Sequence, residues 1–154
     1  MNIFASDINP KKSAINLDDK RVVKMVLESA QLLSTAISVC GEVAPYKPTH
    51  KNHPCSVWVR KTRSNYLWLL EHFKYLCQEY TARYNKTHKC EKYLTDFHYM
   101  QKWIPDGPLT THPNCTIFKG VKNVYLAYKL CLNDKWCTDI RTPTWYGGPV
   151  KCLK

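Results

Sequence analysis

The side chains that could do chemistry in this chain fall into four clusters. On a helical wheel of about 100° per residue, Lys20, Arg21, Lys24, Glu28 and Gln31 gather on the side away from Val22, Val26 and Leu33. One acid among three cations, with Lys24 and Glu28 a turn apart, can supply both halves of an amine-and-carboxylate mechanism. Neighbouring cations keep such a carboxylate ionised and push an amine toward its neutral, nucleophilic form. An ordinary solvated helix face has the same pattern, and spacing alone does not choose between them.

The second cluster is Thr49-His50-Lys51-Asn52-His53-Pro54, directly before a helix start where free backbone N–H groups favour an anion such as phosphate, with Arg60 on the helix that follows. His50 and His53 could also ligate a metal, but no further ligand stands in register with them and none is expected. The third is the basic run around Lys86, His88 and Lys89. It suits phosphate, although cations at a helix C-terminus also complement the helix dipole. The fourth is Trp145-Tyr146 in a Pro- and Gly-bounded tail. Either these rings stand exposed as a stacking platform for bases, or the tail folds back against the helices.

Three main helices are expected to position these residues. The turn Asp7-Ile8-Asn9-Pro10 precedes a helix that begins between Ser13 and Asp19 and runs to Val39. Along it Val22, Met25, Val26, Ala30, Leu33, Ala36 and Ile37 recur at helical steps, and Gly41 stops it. Pro54 opens a second helix, which extends to about Tyr84 with Trp58, Leu69, Phe73, Leu76 and Tyr80 on one stripe. Order weakens from Asn85 to Asn114, with a short helical stretch around Glu91 to Phe97 and a loop broken by Pro105, Gly107, Pro108 and Pro113. In the third helix Val121, Val124, Tyr125, Tyr128 and Leu132 share a face. The fold class expected is all-α: a single compact domain over residues 1–154, ending in an irregular aromatic tail.

Composition limits the partners. In 154 residues there are 23 Lys+Arg against 12 Asp+Glu, a net charge of +11. The pI is near 9.3. A hydrophobic share of 44% excludes a disordered chain, and the charge points to a polyanionic partner. No uncharged apolar run approaches the roughly 20 residues of a membrane span, so no membrane partner is expected. Asp7 arrives before a signal-like apolar segment builds up, so the expected location is the cytoplasm, that of the host cell if the source is viral. The eight cysteines contain no CxxC pair and are expected to be free thiols.

Two of these motifs resemble the pyrimidine-dimer DNA glycosylases of the phage endonuclease V type, which are small, basic, three-helix proteins. Asp19-Lys20-Arg21 followed by Glu28 resembles that family's first-helix Asp-x-His element and its essential Glu. Pro143-Thr144-Trp145-Tyr146 resembles the element behind its third helix that serves DNA binding. The resemblance implies an N-glycosylase, with possible abasic-site lyase activity, on damaged or modified pyrimidines in double-stranded DNA. It implies a monomer that needs no cofactor. The amine of Asn2, exposed when Met1 is removed, would attack the sugar; Glu28 would stabilise the sugar intermediate, and Lys24 is the fallback amine. Three departures stand out: Asn2 is a poor context for Met1 removal, Leu27 and Gln31 replace the arginines that flank the family's Glu, and the tail turns into Gly147-Gly148-Pro149. Two other classes remain open on the residues alone: a His50/His53 nuclease and a non-catalytic nucleic-acid-binding module.

Overall fold

The computed structural model describes residues 1–146; Gly147-Gly148-Pro149 and the rest of the tail lie outside the described residues. The described residues form six α-helices and no strand: α1 (Pro10–Ile15), α2 (Asp19–Val39), α3 (Pro54–Lys61), α4 (Arg63–Tyr84), α5 (Leu94–Met100) and α6 (Val124–Thr138). Polar side chains set most of the starts. Asn9 Oδ1 accepts from the Lys11 and Lys12 amides at 3.0 and 3.1 Å, and Asn123 Oδ1 accepts from those of Tyr125 and Leu126 at 3.0 and 3.2 Å. Gly41, at φ +89°, ends α2, and Asn85, at φ +52°, ends α4; both use the left-handed conformation that Gly and Asn adopt most readily.

The expected second helix is in fact two, broken at Thr62. This residue is extended (φ −142°, ψ 154°), and its hydroxyl accepts from the Asn65 amide at 3.1 Å, so it serves as the N-cap of α4. The break is tied to distant chain: the Thr62 hydroxyl donates to Pro108 O at 2.9 Å, and the Arg63 amide donates to Pro105 O at 2.7 Å. Glycine at 107 allows this close approach, because a Cβ there would meet Thr62 Cγ2 at 2.7 Å and force a shift. A second difference is α1, which occupies part of the expected turn. Its Ser13 hydroxyl donates to Phe4 O at 3.2 Å and accepts from the Ser6 amide at 3.2 Å.

The long helix α4 is central, packing on α1, α2, α3 and α5. α2 has a mean hydropathy of 1.3 over an 18-residue window, high enough by length and composition for a membrane span, which counting uncharged runs did not register. That apolar surface is core: 67% of the window is buried inside the protein. Residues Ile3 to Ser6 are likewise buried, so the start of the chain is built into the core. α6 meets this segment through Tyr128, whose ring packs edge-on to Phe4 at 6.3 Å.

Candidate active site

Burial of Ile3 to Ser6 leaves residue 2 at a defined place on the surface of α2. The Asn2 side chain turns back on its own backbone, its Oδ1 accepting from the Ile3 and Phe4 amides at 2.7 and 3.2 Å. Phe4 takes φ +55°, and this tight turn aims the backbone nitrogen of Asn2 at α2. That nitrogen donates to Glu28 Oε2 at 3.1 Å. The other carboxylate oxygen, Oε1, receives Lys24 Nζ at 3.4 Å. The Glu28 side chain is only 12% exposed, whereas that of Lys24 is 70% exposed. An inner carboxylate therefore lies between the chain's first residues and an outer ammonium. Exposed Val23 and Leu27 flank it, and Gln31 is half-buried.

The histidine loop is tied to the same helix. Thr35 on α2 holds it, the Thr35 hydroxyl accepting from the Thr49 amide at 3.1 Å. His53 Nδ1 accepts from the Cys55 amide at 3.1 Å and so caps α3. The His53 pKa is lowered, first by burial and then by the charges of the N-terminal amine and His50, while Glu28 opposes the shift. His53, the amine and Glu28 thus share one electrostatic neighbourhood. His50 and Asn52 are exposed on the loop, with His50 at φ +48°. Arg60 is partly committed to the loop itself, donating to Lys51 O at 2.6 Å and Ser56 Oγ at 3.2 Å.

At the N-terminal end of α2 the expectation for Arg21 is corrected. It is buried, and its Nη1 pairs with Asp18 Oδ1 at 3.1 Å and Asp139 Oδ2 at 2.7 Å, so it is a structural ion pair instead of a phosphate contact. Its guanidinium holds the Asp139 carboxyl below the usual carboxylate range. Lys20 remains exposed, with Nζ 3.3 Å from Asp139 Oδ1. A cleft of about 490 Å³ lies here, lined by Asp18, Asp19, Lys20, Asp139 and Arg141 among others. It is some two turns of α2 away from Glu28.

Trp145 takes the folded-back alternative: its Nε1 donates to Asn16 O at 3.1 Å, and its ring meets Trp136 edge-on at 4.9 Å. Tyr146 stays 66% exposed. The two rings, with Arg83 and Tyr84 from the end of α4, line a second cleft of about 220 Å³. Lys86 and Lys89 are exposed just beyond that helix end, while His88 is half-buried, its pKa lowered by burial and its Nδ1 accepting from the Cys90 amide at 3.1 Å. The tertiary structure thus makes two groups of the four sequence clusters: Asn2, Lys24, Glu28 and His53 in one, and the end of α4 with the docked tail in the other.

One grouping was missed. Cys55 Sγ lies 3.7 Å from Cys115 Sγ, and a ligand atom of His53 joins them, all three lying within 4.8 Å of one another. Shared hydrogen bonding draws the Cys115 thiol down to about 6 and pushes that of Cys55 up. His53-x-Cys55 was visible as a pair in the sequence; Cys115, 60 residues further on, was not.

The family model described as pyrimidine dimer DNA glycosylase matches residues 1–92, a span that holds Asn2, Lys24, Glu28 and the histidine loop but not the tail motif at Trp145. No curated protein and no solved structure matches the chain.

Proposed function

Because the chain belongs to the pyrimidine dimer DNA glycosylase family, we propose that it acts on a pyrimidine dimer in double-stranded DNA with its N-terminal amine as nucleophile and Glu28 as the partner carboxylate. The observation that carries this reading is the 3.1 Å contact between the Asn2 backbone nitrogen and Glu28 Oε2. Removal of Met1 would turn that nitrogen into a primary amine while the buried segment behind it holds its position. An α-amine has an ordinary pKa of about 7.7–8.0, so a useful fraction is neutral near pH 7, whereas a lysine near 10.4 offers almost none. Lys24 is the less suitable amine, being exposed and ion-paired with Glu28.

In the first step the amine lone pair bonds to the sugar C1′ as the bond from C1′ to the base breaks. The base leaves with that electron pair and takes up a proton. Opening of the sugar ring then leaves a protonated imine between protein and DNA, and the Glu28 carboxylate faces its positive charge. Loss of a C2′ proton with departure of the 3′ phosphate would nick the strand. Bringing C1′ to residue 2 requires the damaged nucleotide to leave the stack, which costs less at a lesion than at a paired base. Exposed Lys20, Lys24, His50, Asn52, Lys86 and Lys89 supply donors for the backbone phosphates.

The test is borohydride reduction during incubation with a duplex that carries one pyrimidine dimer. The imine becomes a stable amine, and peptide mass mapping identifies the residue that carries the sugar. An adduct at the N-terminal amine is expected. A protein that binds the duplex but gives neither adduct nor base release would overturn the reading.

A further inference from the structure

We propose that His53, Cys55 and Cys115 form a binding site for one zinc-class divalent cation, with the fourth position open to water. The distance between the sulfurs is the first argument. A tetrahedral ion with metal–sulfur bonds of about 2.3 Å holds its two sulfurs about 3.8 Å apart, and Cys55 and Cys115 Sγ already stand 3.7 Å apart. A disulfide at about 2.05 Å would need them to close by about 1.7 Å. All three ligand atoms lie within 4.8 Å of one another, so one ion can reach them together.

The donors are also held in place by their own elements. Cys55 is fully buried in the first turn of α3. Cys115 is fixed by its amide, which donates to Tyr128 Oη at 3.3 Å, while that hydroxyl donates to Pro113 O at 2.8 Å. His53 Nδ1 accepts from the Cys55 amide at 3.1 Å, which fixes the imidazole at the start of α3. Two thiols and a neutral imidazole are the donor set that borderline-soft metals prefer. Binding releases two thiol protons to solvent and brings in two positive charges, so it adds none to a chain already at +11. Such an ion would clamp the start of α3 to the loop before α6 and so fix His53 beside the amine and Glu28.

The probe is Co²⁺ added to the full chain kept in a phosphine reductant, read by the thiolate-to-cobalt charge-transfer band and displaced with Zn²⁺. One Co²⁺ per chain is expected, and Zn²⁺ should remove the band at one equivalent. Cys115→Ser, at a half-buried site, should keep its helical circular dichroism and weaken Zn²⁺ binding by at least about 100-fold, since losing even an outer partner of a ligand costs roughly 10- to 100-fold. His53→Ala should behave likewise. Replacing the exposed Cys40 and Cys137 together should leave the band unchanged. No band in the folded, reduced protein would overturn the site, as would a band that survives Cys115→Ser or is lost with Cys40 and Cys137. Mass mapping that finds a Cys55–Cys115 disulfide persisting in reductant would replace it with a redox pair. None of these readouts involves DNA, so they stand or fall apart from the glycosylase reading.

Discussion

Replacing Glu28 with Gln removes one charge and almost nothing else. The Gln side chain keeps an oxygen that can accept from the residue 2 nitrogen, now 3.1 Å from Oε2. The lost pair with Lys24 involves a partner that is 70% exposed, and such pairs contribute roughly 0.5 kcal/mol or less. The melting temperature should therefore fall by no more than about 2 °C in a chain of this length. Catalysis should suffer far more. A carboxylate about 4 Å from a positive sugar intermediate contributes about 4 kcal/mol at an effective dielectric of 20, which is about a thousandfold in rate. Binding should hold or tighten, because the net charge rises from +11 to +12 when one of the 12 acids is removed. The assay is single-turnover nicking of a duplex with one pyrimidine dimer, alongside binding of an uncleavable analogue at fixed salt. A Glu28→Gln rate within about threefold of the parent, with binding unchanged, would refute the carboxylate's role. A rate loss accompanied by equal loss of helical signal would make the role structural.

Four further outcomes follow from the same structure. Burial holds His72 at about 4 and His112 at about 3, both below the ordinary histidine value. The unfolded chain therefore binds protons first as pH falls through about 6.5, and the stability these neutral rings contribute is lost between there and about pH 4 for His72 and about pH 3 for His112. From pH 7 to 5 the linkage is about 2 kcal/mol per ring; urea unfolding should resolve it, and a flat profile would contradict it. Gly107→Ala sets a Cβ 2.7 Å from Thr62 Cγ2 and should cost about 1–3 kcal/mol by overpacking, read as a lower melting temperature with a shifted α3–α4 junction. Asp139→Asn leaves buried Arg21 with Asp18 alone and should cost about 1–3 kcal/mol in denaturant melts. Tyr146→Ala should leave the melting temperature unchanged and weaken binding to dimer-bearing DNA by about 1–3 kcal/mol if its exposed ring stacks on a base; Trp145→Ala, which undocks the tail, should lower both.

The all-helical class was legible because a period of 3.6 imprints itself on Val22, Met25, Val26, Ala30 and Leu33 whatever they pack against. The boundary at Val39 was legible for a similar local reason, since Gly41 relaxes into positive φ without a side-chain clash. The break at Thr62 was not. The apolar stripe runs across it, and what enforces it are Pro105, Gly107 and Pro108, more than 40 residues along the chain.

The candidate site divides along the same line. Residue types and helical spacing by themselves put Lys24 and Glu28 on one face and raised the question of an amine. They could not tell Lys24 from Arg21, because both are cations on the wheel. Only the fold decides that Asp18 and Asp139 take up Arg21, that Trp145 docks while Tyr146 does not, and that the buried start of the chain delivers residue 2 to Glu28. Periodicity and capping act over a few residues and can be read locally. Arg21 has one partner three positions back, Asp18, but its second, Asp139, stands 118 positions away, and the residue 2 nitrogen meets Glu28 across 26; only tertiary packing brings these together.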